Sequence, residues 1–159
     1  MNKIQTELER IVGYIKEDFN LDNLLFYYST PAEFIQLLTA KQTQKDKYPF
    51  FFVSSLNVKY DYKTNVCTMD DIVIATWSKD DWTTKKREQE SMTILDPIYD
   101  EFLRRCYFDK NISLHVQGEK YPHYFYGKTG IIGHEEGIFP DHVDAIQLKN
   151  IKFRIFKQD

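Results

Sequence analysis

Apolar residues recur along this chain with two periods, and the switches between them divide it into elements. The longest helical pattern lies in the stretch Met69–Cys106, where Met92, Leu95, Ile98, Tyr99, Phe102 and Leu103 follow one another at steps that place them on one face. A strand, Ile72–Trp77, leads into this helix through the loop Ser78–Thr84. Thr83 or Thr84 is the expected cap, and Pro97 inside the pattern predicts a kink near Asp96, because proline removes a donor and crowds the preceding turn. The helix is expected to end at about Cys106.

Ile4, Leu8, Ile11, Ile15 and Phe19 make a first amphipathic helix, with Thr6 or Asn2 placed to cap it and Glu7, Glu9, Arg10, Lys16 and Glu17 forming a solvated face. Leu24–Tyr28 predicts a strand. Thr30, Pro31 and Glu33 then form a cap, a first helical residue and a capping-box partner for a short helix from Pro31 to Ala40 that buries Phe34, Leu37 and Leu38. Lys41–Lys47 is a polar connector. Tyr48–Val53 is apolar on both sides, the mark of a strand covered on both faces, the second cover being a helix or a neighbouring subunit. Asn57–Trp77 predicts a hairpin or meander that turns at Lys63-Thr64-Asn65.

Beyond the long helix, Asn111–Gln117 alternates as a half-buried strand, with Ile112, Leu114 and Val116 inward. Gly118-Glu119-Lys120 is expected to turn the chain, with Tyr121–Tyr126 pairing as a second strand. Gly127–Asp141 holds four of the six glycines and Pro140, and predicts a long surface loop. In the last strand, Asp144–Phe156, the buried set shifts from Ile146 and Leu148 to Ile151, Phe153 and Ile155. That change of parity requires a bulge or bend near Lys149-Asn150. These elements define an α+β fold: a single domain over residues 1–159, with a mixed, mostly antiparallel sheet packed by the N-terminal helix and a long Pro-kinked central helix.

Composition changes the picture at only two points. Twelve Phe, 11 Tyr and 2 Trp give more aromatic area than a core of this size needs, and Tyr and Trp favour interfaces. A formal net charge of −3 argues against non-specific nucleic-acid binding through a broadly basic surface. Cys67 and Cys106 stand far apart and outside any CxxC context, and read as two free thiols in a reducing compartment. No window reaches the roughly 18 apolar residues of a membrane span, and the charged N-terminus has no apolar segment of a secretory signal. The protein is expected to be made in the cytoplasm.

The candidate chemistry is thin. Gly127-Lys128-Thr129 resembles the end of a phosphate-binding loop, but Pro122 stands where its first glycine belongs. His134-Glu135-Glu136 resembles part of a zinc-protease helix, but Ile138 replaces the second histidine. His123, His134 and His142 have no ligand spacing and read as surface histidines. Asp70-Asp71 and Asp80-Asp81 flank one strand. Neighbouring residues on an extended chain point to opposite sides, so neither dipeptide is a paired carboxylate site. Lys85-Lys86-Arg87 reads as a solvated basic face or an intersubunit salt-bridge partner. No catalytic, cofactor-binding or metal-binding residue is assigned, and no cofactor is expected.

The layout resembles that of the tail-terminator and neck (head–tail joining) proteins of tailed bacteriophages. The resemblance covers most of the chain. It rests on the N-terminal helix, the IVIATWS strand followed by WTTKKREQESMTILDPIYDEFLRRC, the β-rich C-terminal part and the overall length. It implies a non-enzymatic virion subunit, assembled in the host cytoplasm, that forms a closed, commonly hexameric ring. Such a ring caps the tail tube and joins it to the head-side connector, and DNA passes through it without specific binding or any membrane contact. The expected contact elements are Lys41–Lys47, Asn57–Asn65 and Gly127–Asp141. The alternatives are another virion connector or baseplate component, a small monomeric or dimeric binding module of accessory or immunity type, and an enzyme built on the three histidines.

Overall fold

The computed structural model describes residues 3–41, 47–79, 81–126 and 142–156. The two longest strands, β4 (Val66–Trp77) and β7 (Val143–Ile155), run antiparallel as the spine of a seven-stranded sheet. On one side β4 pairs with β2 (Phe50–Ser54) and, further along, with β3 (Lys59–Asp61). β1 (Leu25–Ser29) then joins β2 in parallel and ends the sheet. On the other side β7 pairs with β5 (Ile112–Val116) and with β6 (Glu119–Tyr126). Only the β1–β2 ladder is parallel, so the domain is the mixed, mostly antiparallel α+β architecture that the periodicity predicts.

Two helices roof one face. α1 (Lys3–Asp18) buries Ile4, Leu8, Ile11 and Ile15 completely, together with Val12. It stops in a left-handed turn at Asn20 (φ 51°): the Leu21 amide reaches back to Lys16 O at 2.9 Å and the Asn20 amide to Glu17 O at 3.1 Å. Phe19 therefore falls outside the helix and stays exposed, and Thr6 lies within it rather than capping it. The second roof helix is built of α3 (Thr84–Arg87), a π-helical segment (Glu88–Met92) and α4 (Thr93–Phe108). Thr83 is its cap, accepting the Lys86 amide at 3.2 Å. Pro97 stands inside α4, and one turn ahead of it the Thr93 hydroxyl donates to Gln89 O at 2.6 Å. Leu95, Ile98, Tyr99 and Phe102 face the sheet, as do Cys106 and Met92.

The reverse face is covered only in part. α2 (Pro31–Ala40) is capped by Thr30, which accepts the Glu33 amide at 3.3 Å. It lays Phe34 on Phe50 and Phe52, with the Phe34 and Phe52 rings stacked at 4.1 Å. β2 is thus buried on both sides because a helix covers each, and no neighbouring subunit is required. Leu37, expected in this core, is exposed, since α2 turns Phe34 and Leu38 toward the sheet with Ile35 packed beside them.

A seam crosses the sheet at its middle. In β4 the residues facing the helices are Cys67 and Met69, then Ile72 and Ile74; in β7 they are Ile146 and Leu148, then Ile151 and Phe153. Both strands change parity, and they do so opposite each other. The register is the same at Met69–Ile151 and at Asp71–Lys149, and the ladder skips the pair Asp70–Asn150 between them. Asn150 is left-handed (φ 58°), which is the bend expected near Lys149-Asn150. Along the same row, Gly118 (φ 78°) lies over Lys149 O, and extending the β3–β4 register sets left-handed Asn57 (φ 61°) against Asp70. Gly118 does not turn the chain back. β5 and β6 both run along β7, so β6 pairs with β7 and not with β5.

Candidate functional site

Several charged residues of the chain hold the fold together. Lys85-Lys86-Arg87 is not a solvated basic run throughout, because Arg87 is buried. Its guanidinium donates to Asp144 Oδ1 (2.8 Å), Ser78 Oγ (2.9 Å) and the carbonyls of Trp82 and Lys79, while Ser91 Oγ donates to Asp144 Oδ2 (2.6 Å). This cluster pins the start of the roof helix to the ends of β4 and β7. The face of α1 expected to be solvated likewise carries a joint. Arg10 bridges Glu7 and Asp109, and Asn111 Nδ2 donates to Glu7. Glu7 is buried because the turn from α4 into β5 closes over it.

Among the described residues, Asp71 is the aspartate of the two pairs that holds a side-chain partner on the sheet. Asp71 lies on the face away from α1 and α4 and accepts Gln147 Nε2 at 2.9 Å, and Gln147 Oε1 meets His123 Nε2 at 2.8 Å. Burial raises the Asp71 carboxyl above its ordinary value. Asp80 lies outside the described residues, as do Gly127-Lys128-Thr129 and His134-Glu135-Glu136. His142 stands just before β7, where its carbonyl accepts the Ser78 amide. Among the described residues no group of His, Cys, Asp and Glu has the geometry of a metal site. Cys67 and Cys106 are free and buried, and burial pushes the Cys67 thiol up to about 11. Both are poor nucleophiles at neutral pH.

Among the described residues the sheet has two unlike edges and an arm. The β1 edge reads Leu-Phe-Tyr-Tyr-Ser, without charge, proline or bulge. The opposite edge is broken by a bulge between Leu114 and Val116, by Gly118, by Pro122 and by a second irregularity after His123. Such devices hinder strand addition, so the two edges differ in what they can accept. The arm is the β3–β4 hairpin. The Asp61 carboxylate accepts the amides of Lys63 (2.9 Å) and Thr64 (3.4 Å), Asn65 is left-handed, and Asn65 O accepts the Ile155 amide at 2.8 Å. Held in this way, the Tyr62 ring stacks loosely on Tyr60 and is 87% exposed. Of the three expected contact elements, Asn57–Asn65 is thus a defined projection. The interior of Lys41–Lys47 and the whole of Gly127–Asp141 lie outside the described residues.

Among the described residues no helix is long and apolar enough to cross a membrane. Comparison of the chain with protein-family models, with curated proteins and with solved structures finds no match.

Proposed function

We propose that this protein is a non-enzymatic virion subunit of a tailed bacteriophage, a tail-terminator or neck ring component that caps the tail tube and joins it to the head-side connector. The observation that carries the reading is the pair of unlike sheet edges together with the projecting hairpin. A closed ring repeats one heterologous contact, in which a surface of one subunit meets a different surface of the next. An uncharged aromatic edge on one side and a blunted edge on the other cannot be exchanged for each other. They favour this head-to-tail arrangement over a two-fold one, in which a patch must complement itself. The outward Tyr62 adds a preorganised aromatic contact, which costs little entropy to bury. The mechanism is geometric: ring closure fixes the bore, and the exposed rims fix what stacks above and below.

Light scattering coupled to size exclusion, across a concentration series and then with tail tubes assembled from the tube protein of the same virus, tests this reading. The expected result is a discrete closed oligomer of about six subunits, alone or on the tube end. A chain that stays monomeric at every concentration and leaves the tube ends uncapped overturns it.

A further inference from the structure

On the far side of the seam from α2, no helix among the described residues covers the reverse face of the sheet. The register fixes what stands on it. One row runs Lys59, Thr68, Lys152, Val116, and the next runs Asp61, Val66, Arg154, Ser113. Their neighbours along the strands, Cys67, Ile151 and Phe153, are buried under α1 and α4, so these residues point away from the helices. Lys59 and Arg154 are exposed, Lys152, Thr68 and Ser113 are half-buried, and the hairpin tip adds exposed Lys63.

This patch is basic in a chain whose formal net charge is −3. Four cations stand against Asp61, whose carboxylate is turned onto the amides of Lys63 and Thr64. Arginine usage sharpens the contrast. Of the five arginines, Arg10, Arg87, Arg104 and Arg105 each have a carboxylate partner, and among the described residues Arg154 has none.

We propose that this half-face binds the phosphate backbone of double-stranded DNA without regard to sequence. The proposal deepens the ring reading above, in which DNA runs through the ring, and assigns this face to the bore. Three features favour phosphate over an acidic protein surface. The centre of the patch is charged, whereas the centre of a protein interface is depleted of charge and rich in aromatic residues. Thr68 and Ser113 set hydroxyl donors among the cations, the mixture that backbone phosphates take. Lys152 and Arg154 are two residues apart on one strand, a rise of about 6.6 Å, close to two of the roughly 3.4 Å axial steps between charges along one DNA strand.

The test measures binding of a short random-sequence duplex by fluorescence anisotropy at about 50 mM salt and above. It compares the wild-type chain with Lys152→Glu/Arg154→Glu, with Lys59→Glu/Lys63→Glu, and with Lys85→Glu/Lys110→Glu on exposed sites elsewhere. Thermal melts confirm that each variant is folded, and the exposed hairpin pair carries the test if the β7 pair does not fold. The expected result is an affinity loss of about tenfold or more for each face pair, and a salt dependence shallower by about two counter-ions per subunit. The control pair leaves both unchanged. Absence of wild-type binding, or an equal loss in the control, overturns the proposal. So does a face variant that stops self-assembly while its DNA binding stays intact, because the face then belongs to a protein contact. Light scattering on the same samples separates the two readings. A ring that ignores DNA removes this inference alone, and a DNA-binding chain that never assembles removes the ring.

Discussion

Arg87 and Asp144, 57 residues apart in the chain, meet at 2.8 Å with both side chains closed to solvent. One comes from the first turn of the roof helix and the other from the start of β7, so the pair fixes where the helix begins along the sheet. Four further hydrogen bonds engage the two groups. A buried pair of this kind is costly to break from one side, because the remaining charge loses its partner. Arg87→Met or Asp144→Leu is expected to lower unfolding free energy by about 3–5 kcal/mol, and the double substitution Arg87→Met/Asp144→Leu to cost less than the sum of its parts. Urea denaturation of the three variants checks this. Additive losses would mean that the two residues do not act as a unit.

Two aspartates give opposite pH signatures. At Asp109 burial opposes the charge, but Arg10 and the amides of Asn111 and Ile112 outweigh it and hold the carboxyl below its ordinary value. Its contribution is complete above the unfolded value of about 3.9 and is lost as pH falls through the lower native value. At Asp71 burial outweighs the Gln147 hydrogen bond and the field of Lys149, and the carboxyl is raised. Here the native state keeps its proton longer than the unfolded chain, so stability declines as pH rises from about 3.9 through the native value. Asp109→Asn is expected to flatten the acid limb of the stability profile. Asp71→Asn is expected to remove the decline and to leave the protein more stable at neutral pH. Denaturant titrations across the acid range read both, and slopes of the same sign in the two variants would contradict the assignment.

The two described glycines predict opposite outcomes. A Cβ on Gly118 would stand 2.4 Å from Lys149 O, at a φ of 78°. Both the clash and the left-handed backbone penalise alanine, and Gly118→Ala is expected to cost about 2–4 kcal/mol. Gly13 lies within α1 with nothing within 4 Å of a built Cβ, so Gly13→Ala is expected to add about 0.5–1 kcal/mol. Thermal or urea unfolding distinguishes the two.

Tyr62 separates assembly from stability. At 87% exposure its ring contributes little to the fold, and Tyr62→Ser is expected to change unfolding free energy by less than about 0.5 kcal/mol. In the ring reading the same change weakens oligomerisation or tube capping. Sedimentation or light scattering beside a melt checks both, and a variant that assembles like wild type removes the hairpin from the contact surface.

Much of the architecture was legible because it is written in local periodicity. Thr30, Pro31 and Glu33 announced α2 to the residue, and the parity shift after Leu148 required the bend found at Asn150. Long-range pairing was not legible. Tyr121–Tyr126 read as the return arm of a hairpin, yet β6 lies along β7, a choice set by the length of β7 and not by any turn residue. The polar joints were hidden for a related reason. Arg87, Glu7 and Arg10 occupy positions that helical periodicity assigns to solvent, and only the distant Asp144, Asp109 and Asn111 bring them in. Nothing in the sequence sets Arg154 apart from other surface cations, since among the described residues its lack of a carboxylate partner emerges only when the other arginines are placed.

The skipped pair Asp70–Asn150 makes the sheet behave like a lattice carrying a line defect. Removing both residues together would restore strict alternation from Met69 through Ile72 and from Leu148 through Ile151, whereas removing either alone would throw half of a spine strand out of phase with the core. Insertions and deletions along this row are therefore tolerable only in concert, and the two strands are bound to change length together or not at all.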